Sequence, residues 1–75
     1  MRIRPPLTTK LGYDLMRVYL IYRRDLVEFN EYFKQQYYPG NYMIIEEPRD
    51  HVVNRRPVLE FENEHDAVMF LLRWS

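Results

Sequence analysis

The 75-residue chain has no cysteine, two glycines that are not grouped, and a single serine, Ser75. Without cysteine there is no disulfide staple and no thiolate site for zinc, redox work or nucleophilic attack. Two separated glycines do not make a phosphate-cradling loop. Ser75, with Thr8 and Thr9 near the other end, offers no nucleophile next to an orienting base. Long apolar runs are missing too. The stretches Val18 to Tyr22 and Ala67 to Leu72 fall far short of the roughly 20 residues that span a bilayer. The opening MRIRPPLTTK has no apolar h-region of a signal peptide, so a cytoplasmic location without membrane attachment is expected. Net charge is also missing: eleven basic side chains meet eleven acidic ones, which argues against a general electrostatic footprint for nucleic acid.

What is present is apolar and aromatic. Hydrophobic residues make up 47% and aromatic residues 16% of the chain, too much for disorder. A single domain of this length buries only about 60% of its unfolded surface, so stability has to come from aromatic packing or a partner subunit. The charges are unevenly spread: residues 1–37 hold seven basic and four acidic groups, residues 38–75 four basic and seven acidic. Nine of the cations are arginine, which favours paired and interfacial positions.

Residues 1–12 read as an extended arm, because Pro5 and Pro6 bias their predecessors away from helix. The arm is either disordered or laid along a sheet edge, and Gly12 reads as a turn. Residues 13–75 form the domain. Leu15 to Tyr22, dense in β-branched and aromatic residues, predicts a first strand. Asp25 with Glu28 three residues on has capping-box spacing, and Leu26, Phe29, Phe33 and Tyr37 recur at helical intervals up to Pro39-Gly40. Tyr42 to Glu46 predicts the second strand and Pro57 to Glu62 the third, the latter with alternating faces. Asn63, followed by Asp66, caps a last helix whose core stripe is Ala67, Phe70, Leu71 and Trp74.

The order β-α-β-β-α is that of a split βαβ unit. The chain therefore resembles the ferredoxin-like superfold over about residues 15–74. The resemblance implies an α+β fold with a three-stranded antiparallel or mixed sheet, order 1-3-2, and two helices on one face. It also implies a missing fourth strand, which leaves the first strand as an open edge in need of a cover. A second copy pairing there gives a homodimer with an interface at Arg17, Val18, Tyr19, Leu20, Ile21, Tyr22 and Trp74. The arm or a different protein would be the other covers.

Val18-Tyr19-Leu20 is similar to the aliphatic-aromatic-aliphatic motif on the first strand of RNA-recognition domains, and Phe61 matches a buried aromatic of their third strand. The base-stacking positions of that strand fall on Arg56 and Val58, so Tyr19 alone would stack. The ending FENEHDAVMFLLRW resembles the tails of short, uncharacterised tailed-phage proteins, which implies a small accessory role.

Three functions follow as expectations. The first is a non-enzymatic binding or accessory protein acting as a homodimer, with no cofactor. The second is a nucleic-acid module that uses Tyr19 and the cationic cluster Arg49, His51, Arg55 and Arg56. The third is a small enzyme with a cavity between helices and sheet. His51 and His65 match no metal-ligand spacing, so no metal is expected.

Overall fold

A computed structural model describes residues 1–48 and 55–74. The elements are β1 (Arg2–Ile3), α1 (Lys10–Tyr22), α2 (Leu26–Gln36), β2 (Met43–Pro48), β3 (Arg55–Glu60) and α3 (Glu64–Trp74). The fold is α+β, with a three-stranded antiparallel sheet in the order β1-β3-β2. Arg2 pairs with Glu60 and Ile3 with Leu59 on one side of β3, while Met43 pairs with Glu60 and Ile44 with Leu59 on the other. β1 and β2 thus run parallel to each other on either side of β3, and the connection between them carries two helices where the ferredoxin-like plan has one.

The main correction is at residues 15–22, which are the last two turns of α1 and not a strand. The helical stripe begins earlier, at Leu11, and continues through Leu15, Val18 and Tyr19, all at most 5% exposed. These positions recur at i, i+4, i+7 and i+8, one face of a helix. The β-branched and aromatic residues cost only a few tenths of a kcal/mol each in a helix, while burying a large apolar side chain gives about 1.5–3 kcal/mol. Packing therefore overrides local preference. Thr9 starts the helix by accepting the Gly12 N–H on its hydroxyl at 3.1 Å.

The arm supplies the strand that α1 does not. Phe61 N–H donates to the Met1 carbonyl at 2.8 Å, and the Met1 nitrogen donates to the Phe61 carbonyl at 2.7 Å. Gly12 is not a turn but a point of contact in the first turn of α1. A Cβ there would lie 2.0 Å from the Pro6 carbonyl oxygen, so only glycine lets the arm pass this close to the helix.

Both sheet edges are managed. β1 is two residues long, and short edge strands resist pairing with other chains. On the other edge, the Asn30 side chain of α2 accepts from Ile44 N–H at 2.6 Å and donates to Ile44 C=O at 3.0 Å. One amide thereby satisfies both backbone groups of an edge residue.

One core joins all three helices to the sheet face carrying Ile44 and Leu59. It is built largely of rings. Phe29 and Phe33 have centroids 5.7 Å apart, and Phe61, Phe70 and Tyr42 form a triangle with separations of 4.9–5.6 Å. Such pairs add about 0.5–1.5 kcal/mol each beyond the area they bury. On the opposite sheet face Val58 is fully buried. Residues that share this face by register include Glu47 and Glu60, which Arg2 and Arg4 bridge by ion pairs.

Candidate functional site

The change from strand to helix redistributes the expected interface. Val18 and Tyr19 are core residues, with the Tyr19 hydroxyl donating to Glu46 at 2.8 Å. Tyr22 packs against Tyr32 at 5.0 Å. Leu20 and Ile21 are exposed at 58% and 69%. Strand-to-strand pairing through residues 17–22 is therefore closed, because their backbone groups are engaged within a helix. Tyr19 has no open ring face to offer a base. Of the cationic cluster, Arg49 and His51 lie outside the described residues, and Arg55 begins β3. Arg56 is half-buried, and its Nε has no partner among the described residues. His65 is exposed in the first turn of α3, and among the described residues no group of three His, Cys, Asp or Glu is placed to hold a metal. No helix among the described residues is long and apolar enough to cross a membrane.

Arg17 and Trp74, widely separated in sequence, do meet. They line an open cleft of about 450 Å³ with Lys10, Asp14, Gln36, Tyr37, Tyr38 and Arg73. Lys10, Asp14 and Arg17 stand at i, i+4 and i+7 on α1, at the margin of its apolar stripe, with Asp14 itself buried. Tyr37 and Tyr38 follow the end of α2, where both N–H groups share the Phe33 carbonyl at 3.0 Å. Arg73 and Trp74 end α3.

Among the described residues Asp14 is the one charged residue that is buried. Its carboxylate accepts the Tyr38 hydroxyl at 2.7 Å and lies 3.6 Å from the Arg17 guanidinium. Burial, followed by the hydrogen bond to Asp14 and that group's charge, pushes the Tyr38 phenol up to about 12. Tyr38 is thus held as a proton donor. The Trp74 ring meets Tyr38 edge-on at 5.1 Å, and the Arg73 guanidinium sits 4.9 Å over it.

Beside this cleft, on the next strip of α1, lies a groove of about 340 Å³ lined by Leu7, Tyr13, Met16, Arg17 and Leu20. Leu7, Tyr13 and Leu20 are each more than half exposed. A second apolar patch, Val68, Met69 and Leu72, lies on the outside of α3.

The sequence pattern points to Arg17, Leu20 and Trp74 for a different geometry, and does not point to Lys10, Asp14 or Arg73. The signal for the first two was the i, i+4, i+7 spacing with Arg17, visible only once the segment is read as a helix. No protein-family model, no curated protein and no solved structure matches the chain.

Proposed function

We propose that the protein acts by binding, as an assembly module in which the apolar groove on α1 of one copy receives the outer face of α3 of another. The observation that carries this reading is the groove itself: large apolar side chains gathered in a concave surface and left in water. Apolar surface of this kind marks interaction sites.

Charge supports the choice of occupant. α1 and the turn after it carry Lys10, Arg17, Arg23 and Arg24. The α3 patch follows a first turn that holds Glu64 and Asp66, with Arg73 in the last turn beyond it, so the opposite charge lies at the start of α3. Two α1 grooves face to face would bring like charges together, whereas α1 against α3 brings opposite ones. Such an interface is heterologous, so it closes into a ring or continues as a chain. The homodimer joined through a first strand gives way here to association through helices.

Light scattering over a range of concentrations tests this, with Leu20→Glu and Leu72→Glu as variants. Both side chains are well exposed, so neither change opens the core. The parent is expected to grow in mass with concentration, and each variant alone to remain near 9.4 kDa. An equimolar mixture of the two retains one intact groove and one intact α3 face, and is expected to form a capped dimer. A parent that stays monomeric throughout refutes the reading.

A further inference from the structure

We propose that the cleft between the start of α1 and the end of α3 binds a small phosphorylated molecule. Lys10, Arg17 and Arg73 line the cleft; ammonium and guanidinium groups only donate. Lys10 and Arg73 have no carboxylate partner among the described residues. The Trp74 indole N–H is buried, with no acceptor among the described residues, and is closed to a ligand in the open cleft; Trp74 serves the cleft as part of its aromatic lining. The one acidic group in the cleft, Asp14, is already engaged by Tyr38 and Arg17. Arg17 is held in part by Asp14 and by the Tyr37 hydroxyl, to which it donates at 3.0 Å, so the donors to spare are chiefly those of Lys10 and Arg73.

A ligand that completes such a site is rich in acceptors and negatively charged. Three cations against one engaged carboxylate leave the cleft positive. The cations come from two elements and surround an aromatic wall. A phosphate group offers several acceptor oxygens at tetrahedral angles and meets lysine and arginine together, where a lone carboxylate engages one fork. The volume suits a molecule of modest size. This site shares Lys10 and Arg17 with the charge that favours the association of α1 with α3, but it uses neither the apolar side chains of the groove nor the outer patch of α3.

The only tryptophan of the chain lines the cleft, so its fluorescence reports occupancy directly. The experiment titrates the full chain with inorganic phosphate, adenosine monophosphate and adenosine, at low and high salt. A saturable change in Trp74 emission is expected with the two phosphorylated probes and none with adenosine. Equal affinity for both probes assigns recognition to the phosphate alone, and tighter binding of the nucleotide adds contact with the aromatic wall; each supports the proposal.

Lys10→Gln and Arg73→Gln are each expected to weaken binding about tenfold, the loss of one charge-assisted hydrogen bond. Both side chains are exposed, so thermal unfolding should stay close to that of the parent. Lys34→Gln, outside the cleft, should bind as the parent does. No response to either phosphorylated probe overturns the proposal. So does an equal response to adenosine, or binding that ignores both cleft substitutions.

Discussion

Two neighbouring strips of α1 carry opposite chemistry. On one, Tyr13, Met16 and Leu20 form with Leu7 an almost wholly apolar groove. On the other, Lys10, Asp14 and Arg17 line a cleft of charges and phenols. Arg17 sits on the boundary and touches both. The third side of the helix, Leu11 to Tyr19, is core. A 13-residue helix thus presents three chemically distinct surfaces, and the binding proposed for the two exposed ones would differ in its physics. Burial in the groove is a hydrophobic contact and gains from salts that are excluded from surfaces. Attraction in the cleft is Coulombic and is screened within about 10 Å at 0.1 M salt.

The largest expected effect comes from Gly12→Ala, which separates the two strips. In an ordinary helix this exchange stabilises by about 1 kcal/mol. Here the new methyl would meet the Pro6 carbonyl oxygen at 2.0 Å and the Pro5 oxygen at 2.8 Å. Relief requires the arm to lift from α1, which pulls Leu7 from the groove and strains the β1–β3 pairing. We expect a net loss of about 3 kcal/mol in urea unfolding, the upper end of overpacking costs. The cleft, built from α1, α2 and α3, should keep its tryptophan signal in the variant that remains folded. Stabilisation by alanine would show that the arm does not rest on α1.

The next effect is confined to the cleft. Tyr38→Phe removes the donor at 2.7 Å from Asp14 and leaves a buried carboxylate with only the more distant Arg17. The expected cost is about 1–3 kcal/mol, with the groove untouched. The alkaline limb of the stability profile gives an independent reading. The Tyr38 phenol titrates near 10 when unfolded and is pushed up to about 12 in the fold. Its contribution is therefore complete below pH 10 and is lost as pH rises towards 12. Tyr38→Phe should flatten part of that limb. Tyr42, raised by burial, and Tyr32, raised by the neighbouring Tyr37 and by burial, contribute to the rest. An unchanged alkaline limb would mean that Tyr38 is not held in its neutral form.

How far the sequence disclosed all this depends on the range of the forces involved. Asp25, Asn63 and the Pro39-Gly40 punctuation act within a few residues, and α2, β2, β3 and α3 lie close to where these signals put them. Asn63 accepts from the Asp66 N–H at 2.8 Å as its spacing implied. α1 was hidden because Val18, Tyr19, Ile21 and Tyr22 favour strand locally, and only tertiary burial reverses that preference. The arm's place at the sheet edge was one of two open readings, since nothing local decides between water and a strand partner far along the chain. The cleft was least legible. Tyr38 reaches Asp14 across 24 positions, and Trp74 reaches Tyr38 only because α3 packs against the segment that follows α2. Ring contacts of this kind leave no periodic trace. Arg17 and Trp74 were singled out for an interface; their meeting in one cleft is a product of the fold.

The smallest effect lies away from α1 altogether, on the outer sheet face, and shows what a change unconnected to either strip looks like. The Arg4 side chain donates to Glu47 from Nε at 2.8 Å, and Arg2 reaches the same carboxylate at 3.4 Å. The hydrogen bond from Arg4 is the main reason that the Glu47 carboxyl sits below its ordinary value of 4.5, with the charges of Arg4 and Arg2 adding to it. A depressed carboxyl contributes stability that is present above its unfolded value and is lost as pH falls through the folded one. In Arg4→Ala that contribution shrinks. Parent and variant should therefore differ slightly above about pH 4.5 and converge as the pH falls below it. Added salt should close the gap, because solvent screens exposed ion pairs. Urea midpoints across this pH range decide the matter. Neither the mass growth assigned to the groove nor the phosphate response assigned to the cleft should change in Arg4→Ala. A gap that persists at low pH would mean that Arg4 acts through the packing of its stem over the sheet and not through the charge of Glu47.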